Sequence, residues 1–183
     1  VMIFPKFKYH PDPIKTGSII ESKNSCECCK LQQGYVYSGS MYSKNRPESI
    51  CPWCIADGSA AEMFGIEFVS LMPAIIDPSN PQKIECSDSS FDELLDRTPV
   101  FSSYQEIEWP NHCGDFCEYH GISTVKDIKN ISTEQKERLF QTSYLDEGEL
   151  AYIQRGEDGD ELHYFLRFVC RSCGESLFQF DPD

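Results

Sequence analysis

An α+β fold of short antiparallel strands, several short helices and knuckle-like turns is what this sequence predicts, on three observations. Apolar residues come in short runs broken by Gly, Pro and Ser rather than in long periodic stretches. Helix-cap signals are interspersed with aromatic and β-branched runs. Eight of the ten cysteines fall in close pairs. The chain has 183 residues, 40% of them hydrophobic, enough to bury a core in one domain or two small subdomains.

The elements follow in order. Residues 1–24 read as extended and turn-rich, because Pro5, Pro11 and Pro13 exclude a long helix. Tyr35-Val36-Tyr37 predicts a strand, and Gly39-Ser40 a bend into a second one. Asp57 or Ser59 can cap a short helix through Ala60, Ala61 and Met63. The Pro-rich stretch MPAIIDPSNPQ reads as a loop between subdomains. It divides the chain into residues 1–72, an N-terminal knuckle subdomain, and 73–183, a C-terminal α+β subdomain; one integrated domain remains the alternative. Ser90-x-x-Glu93 has the capping-box pattern for a helix that Arg97-Thr98-Pro99 ends. WPNHCGDFCEYHG is turn-rich, with room for one helical turn. Ser123, and Ser132 or Thr133, offer further caps, the latter ahead of EQKERLFQ with Leu139 and Phe140 facing inward. LAYIQRGEDGDELHYFLRFVC and ESLFQF read as three strands, with GEDGDE as a hairpin turn.

The formal charge is −14, from 16 basic and 30 acidic residues. Sequence-independent nucleic-acid binding rests on Lys and Arg neutralising phosphates, so that class is disfavoured. A protein partner is expected instead, and a basic one suits the charge. No apolar run reaches 18 residues, so no membrane span is expected. The apolar patch of VMIFPKFKYHPDP precedes Lys6 and Lys8, the reverse of a signal peptide. The expected location is therefore the cytoplasm, where disulfides are disfavoured.

The cysteine pairs are Cys26-Cys29, Cys51-Cys54, Cys113-Cys117 and Cys170-Cys173. A tight turn between two thiolates aims both at one ion, and two such pairs complete a tetrahedral shell around zinc. Cys29 and Cys51 are spaced close to the usual distance between zinc-binding CxxC pairs. CPWC could instead be a redox dithiol, but that reading needs a βαβ context the sequence lacks. Two zinc ions are expected, the first on Cys26, Cys29, Cys51 and Cys54, the second on Cys113, Cys117, Cys170 and Cys173. His112 could replace Cys113 as a ligand, and Cys28 competes with Cys26 or Cys29. Cross-combinations of the pairs stay open. Cys86 reads as an inert thiol. Each zinc held by four thiolates lowers the net charge by two, bringing −14 to about −18.

The segments FKYHPDPIKTGSI, CECCK, GYVYSGSMYS, CPWCIADGSAAEMFG, RTPVFSSYQEIEWPNHCGDFCEYHG and FVCRSCG together resemble the CbrC-like family of uncharacterised bacterial proteins. The resemblance spans nearly the whole chain, and CPWCIADGSAA is its most specific part. The family's name is linked to colicin tolerance, and membership implies no reaction. Lys30 stands where such knuckles often carry Gly, and Ser40-Met41 where the family's Gly-Pro is expected.

Other chemistry is weaker. His10 and Asp12, in YHPDP, form a turn more readily than a ligand site. Asp115, Glu118 and His120 crowd the third cysteine pair and would suit a hydrolytic zinc centre if one ligand position stayed open to water. HExxH, GxSxG and P-loop patterns are absent, and CPWC does not match the deaminase Pro-Cys-x-x-Cys. His163 is expected to pack in a strand, and Trp53 and Trp109 to lie in the core or at its rim. The sequence thus predicts a zinc-stabilised acidic protein acting as an interaction or stress-response module, with no catalytic residues assigned. A zinc-dependent hydrolase or other metalloenzyme near Cys113–Cys117 is the alternative.

Overall fold

A computed structural model describes residues 3–70, 86–104, 108–143 and 145–181 of the chain. The stretch MPAIIDPSNPQ lies outside the described residues. Strand β1 (Ile19–Glu21) pairs antiparallel with β2 (Tyr35–Tyr37), Ile20 facing Val36. The expected hairpin across Gly39-Ser40 does not form; a single bridge joins Tyr42 to Glu67 instead. Gly39 explains why, since a Cβ there would lie 2.0 Å from the Val100 carbonyl oxygen. The chain runs against a distant segment at this point rather than folding back on itself.

Helix α1 (Pro52–Ala56) begins directly after Cys51. Pro52 fits its first position because that residue's N–H would have no helical partner. Gly58, at φ 82°, turns the chain into α2 (Ser59–Phe64), where Asp57 accepts a hydrogen bond from the Ser59 N–H at 2.9 Å. Helix α3 (Asp88–Arg97) is capped three residues ahead of the expected Ser90, by Ser87, which accepts from the Ser90 N–H. It ends at Thr98 before Pro99, as expected.

In place of a helical turn, WPNHCGDF forms a hairpin of β3 (Asn111–His112) and β4 (Asp115–Phe116). Its two-residue turn is Cys113-Gly114, both at positive φ, as the hairpin turn that matches strand twist requires. Strand β5 (Glu118–Thr124) leads into α4 (Val125–Lys129), α5 (Thr133–Thr142) and α6 (Glu147–Ile153), followed by β6 (Glu161–Val169) and β7 (Ser176–Phe180). These strands form an antiparallel sheet in the order β5-β6-β7. Thr124, rather than Ser123, caps α4, and Ser132 caps α5 in a reciprocal box with Gln135. LAYIQ is helical, not a strand. Asp146 and Glu149 close a capping box at its start, which outweighs a short apolar run with no strand to pair with. GEDGDE accordingly links α6 to β6 and is no hairpin turn.

The described residues thus hold six helices and three small sheets, a mixed α+β arrangement. Side-chain alternation on the last sheet divides two cores. Leu166, Phe168 and Leu177 enter the larger one with Phe7, Tyr9 and Ile55; Phe165 and Phe178 enter a smaller one with Ile128, Leu139 and Leu150. Phe140 packs beside Leu139, as the helix pattern predicts. The larger core draws side chains from both sides of residue 72. None of the described helices is long and apolar enough to cross a membrane.

Candidate metal centres

Two segments of unrelated sequence fold into the same turn. In Cys26–Leu31, the Lys30 N–H donates to the Cys26 carbonyl at 2.8 Å, and the Cys26 N–H to the Leu31 carbonyl at 2.9 Å. In Cys170–Glu175, the Gly174 N–H donates to the Cys170 carbonyl at 2.9 Å, and the Cys170 N–H to the Glu175 carbonyl at 2.8 Å. Both turns need a left-handed residue after the second cysteine. Gly174 supplies it at φ 77°, and Lys30 at φ 63°, with the steric penalty a side chain carries there.

The first knuckle faces the N-terminus of α1. Cys26, Cys29, Cys51 and Cys54 bring their sulfurs within 4.8 Å of one another. Cys26 and Cys54 are 3.9 Å apart, and Cys29 and Cys51 3.8 Å. A tetrahedron with Zn–S bonds of 2.3 Å has sulfurs about 3.8 Å apart, so this set is shaped for a zinc-sized ion. A disulfide would need about 2.05 Å, and all ten cysteines are free thiols. The Cys51 N–H donates to Cys26 Sγ at 3.2 Å, while the Gln33 amide donates to Cys29 at 3.6 Å and Cys51 at 3.5 Å. Cys26, Cys51 and Cys54 are buried.

The second knuckle faces the β3–β4 hairpin. Here His112, Cys113, Cys170 and Cys173 converge within 4.8 Å. His112 Nδ1 lies 3.3 Å from Cys113 Sγ and 3.4 Å from Cys173 Sγ. Tetrahedral zinc would separate a nitrogen from a sulfur ligand by about 3.6 Å. His112 thus joins Cys113 rather than replacing it. Cys117 is not in the group. It sits at 0% exposure in the larger core, its carbonyl accepting from Trp109 Nε1 at 2.9 Å. The two-residue turn places positions 112 and 113 at the hairpin tip, whereas position 117 lies past β4 where the chain enters the core. Among the described residues this group is also more open than the first: Cys113 and Cys173 are exposed and only Cys170 is buried.

Thiol acidities follow from this crowding. Burial raises Cys29, but N–H donation from Leu31 and Gln33 outweighs it and brings the thiol down to about 7. Burial likewise opposes ionisation of Cys170, and the Cys173 backbone and His112 overcome it, to about 6. Three other thiols go up. Burial pushes Cys51 up to about 12 and Cys54 higher still, and the neighbouring Cys173 thiol pushes Cys113 up to about 11. One thiolate forms easily in each group, and its charge opposes the next. A divalent cation is the natural counter-charge for such a set. Cys117, buried and outside the group, is pushed up to about 12.

The second residue of each knuckle clamps the facing element. Glu27 accepts from the Glu48 N–H at 2.6 Å and the Ser49 N–H at 3.2 Å, fixing the approach to Cys51. Arg171 pairs with Asp115 at 3.4 Å and Glu118 at 3.2 Å, on either side of Cys117. Asp115 also accepts from Tyr9 at 2.5 Å and Ser90 at 2.9 Å and pairs with Lys8 at 3.0 Å. Burial works against its ionisation, and these donors still hold it down to about 2. Glu118 contacts His120 at 3.1 Å.

The other candidates lie outside both groups. Cys28 turns its thiol to Ser59 Oγ at 3.4 Å, and Cys86 packs partly buried against the larger core. His10 is fully buried between the Pro99 carbonyl and Thr16 Oγ1, and burial lowers its pKa to about 4. His163 is exposed on β6 rather than packed. Trp109 is core, and Trp53 is a rim residue donating to the Ile3 carbonyl at 3.0 Å. The sequence left His112 open and missed Gln33 and Arg171, for which one chain offers no spacing signal.

Fold and donor groups together define a small α+β protein organised around two cysteine-rich clusters. The chain belongs to the uncharacterised protein family UPF0167, whose sequence model matches residues 4–182. It is 35% identical over 178 residues to a UPF0167 protein of Mycobacterium bovis, covering 94% of this chain and 90% of that one. It is 34% identical over 184 residues to a UPF0167 protein of Pseudomonas aeruginosa, covering 97% and 96%. No solved structure matches.

Proposed function

We propose that this is a zinc-stabilised cytoplasmic interaction module without catalysis of its own. The observation that carries the proposal is the sulfur spacing of 3.8 and 3.9 Å in the first group, which fits four ligands on one tetrahedral ion. The second group, with three sulfurs and His112, supplies a second closed set of four donors. Zinc there would hold two chain segments in register, and that is a structural role. Two features favour this over a hydrolase near Cys113–Cys117. Cys117 is buried away from the donor group. The oxygens of Asp115 and Glu118, which could have held a reacting water, are engaged by Lys8, Tyr9, Ser90, Arg171 and His120.

The −14 charge suits recognition of a basic protein. The resemblance to CbrC-like proteins suggests a role in colicin tolerance or a related stress response. Acidic side chains at Asp92, Glu93, Glu157, Asp158 and Asp160 would steer the encounter, although Asp158 is already paired with Lys129 at 2.6 Å. The test is elemental analysis of the full chain after metal-replete expression, followed by an assay of the purified protein for metal-dependent turnover. Two zinc ions per chain and no turnover are expected. Fewer than one zinc would contradict the metal reading, and turnover of a small molecule lost on metal removal would contradict the non-catalytic one.

A further inference from the structure

We infer that the second cluster is a site of reversible oxidation, at which a peroxide joins Cys113 to Cys173 and releases the ion. This rests on the reading that both clusters hold zinc. Three observations carry it. Cys113 and Cys173 are exposed, whereas three of the four first-cluster cysteines are buried. Their sulfurs lie within 4.8 Å of each other, so side-chain rotation can close the gap to a bond of about 2.05 Å. They sit on separate elements, Cys113 in the two-residue turn of the β3–β4 hairpin and Cys173 in the knuckle.

The chemistry balances with one peroxide as oxidant. The Cys113 thiolate attacks one peroxide oxygen, the O–O bond breaks, and a sulfenic acid and hydroxide form. The Cys173 thiolate then attacks that sulfur, the S–S bond forms, and the second hydroxide leaves. Two thiolates are oxidised by two electrons in total; the peroxide is reduced and, with two protons, yields two waters. Zinc is left with His112 and Cys170 alone, and two donors do not complete its tetrahedral shell. A dithiol reductant with added zinc reverses the reaction.

The first cluster is the internal control. Three of its four cysteines are buried, and donors from Gln33 and the Cys51 backbone engage the sulfurs of Cys26, Cys29 and Cys51, which lowers their availability to an oxidant.

The experiment uses the full zinc-loaded chain, whose zinc content is counted first. Fewer than two ions at that stage would remove the reading on which this inference rests. With two ions present, equimolar hydrogen peroxide is added beside a chromogenic zinc chelator. One of the two ions should be released, peptide mapping should find Cys113 joined to Cys173, and dithiothreitol with zinc should restore the starting state. Because Cys113→Ser could prevent folding of the hairpin, Cys28→Ser and Cys86→Ser serve as second variants. Both should release zinc at the wild-type rate. Release of neither ion or of both together, a disulfide confined to Cys170 and Cys173, or loss of the response in either second variant would overturn the inference.

Discussion

Cys26–Leu31 and Cys170–Glu175 close the same pair of backbone hydrogen bonds, but they face different partners. The first meets the start of a helix and is covered by Gln33; the second meets a two-residue hairpin at the surface. Glu27 clamps its partner through backbone N–H groups, while Arg171 uses half-exposed ion pairs. Exposed ion pairs contribute only about 0–1 kcal/mol each. The contrast shows that a shared ligand turn does not set how enclosed a group is. The facing element does, leaving three of four cysteines buried in the first group and only Cys170 buried in the second.

The largest expected effect breaks this contrast at its buried end. Cys51→Ser should lose the first ion and the cooperative thermal transition. Structural zinc in finger peptides is worth about 10–16 kcal/mol apparent, as much as a whole domain's stability of about 5–15. Cys173→Ser should lose the second ion yet keep a cooperative transition, with a loss of about 4 kcal/mol, the loop-closure scale of a cross-link of that span. Equal destabilisation by the two variants, measured by calorimetry, would erase the difference between the sites.

A smaller effect separates ligand from core inside the second region. His112→Ala should lower the zinc content by one ion. Cys117→Ala should keep both ions and destabilise by about 1–2 kcal/mol, as for removal of a small buried apolar group. Elemental analysis beside urea denaturation distinguishes them. The opposite pattern would make Cys117 the ligand.

These assignments show what one sequence can carry. CxxC spacing made six of the eight candidate donors legible, because a ligand turn is local. Whether His112 joins the group and Cys117 leaves it was not decidable from spacing, since His112 adjoins Cys113 and Cys117 follows it at CxxxC spacing. The discriminating signal was the two-residue turn Cys113-Gly114, which lifts 112 and 113 to a tip and sends 117 inward. Helix α6 was hidden for a related reason. LAYI looks like a strand in isolation, and the Asp146-x-x-Glu149 box ahead of it was the competing local cue. The pairing of β2 with β1 rather than with the residues after Gly39 depended on the approach of Val100, which no local pattern encodes.

A further effect sharpens the comparison in acid, where protons displace metal from both clusters. His10 adds a contribution of its own. Unfolded, it takes up a proton as pH falls through its ordinary 6.5; folded and buried, it does so only near 4. The unfolded chain therefore binds more protons across that window. This stability is fully present above pH 6.5 and is lost on acidification towards pH 4, by about 3 kcal/mol. Urea midpoints at pH 7 and pH 4.5 should fall less steeply for His10→Gln than for the natural chain. Parallel falls would show that metal loss alone governs the acid response.

Native mass spectrometry of the zinc-loaded full chain tests the central claim most directly, namely that two distinct donor groups each hold one ion. The natural chain should carry two zinc ions, and a variant with both Cys113→Ser and Cys173→Ser should carry one. A natural chain that never exceeds one ion, or a double variant that still holds two, would contradict the account.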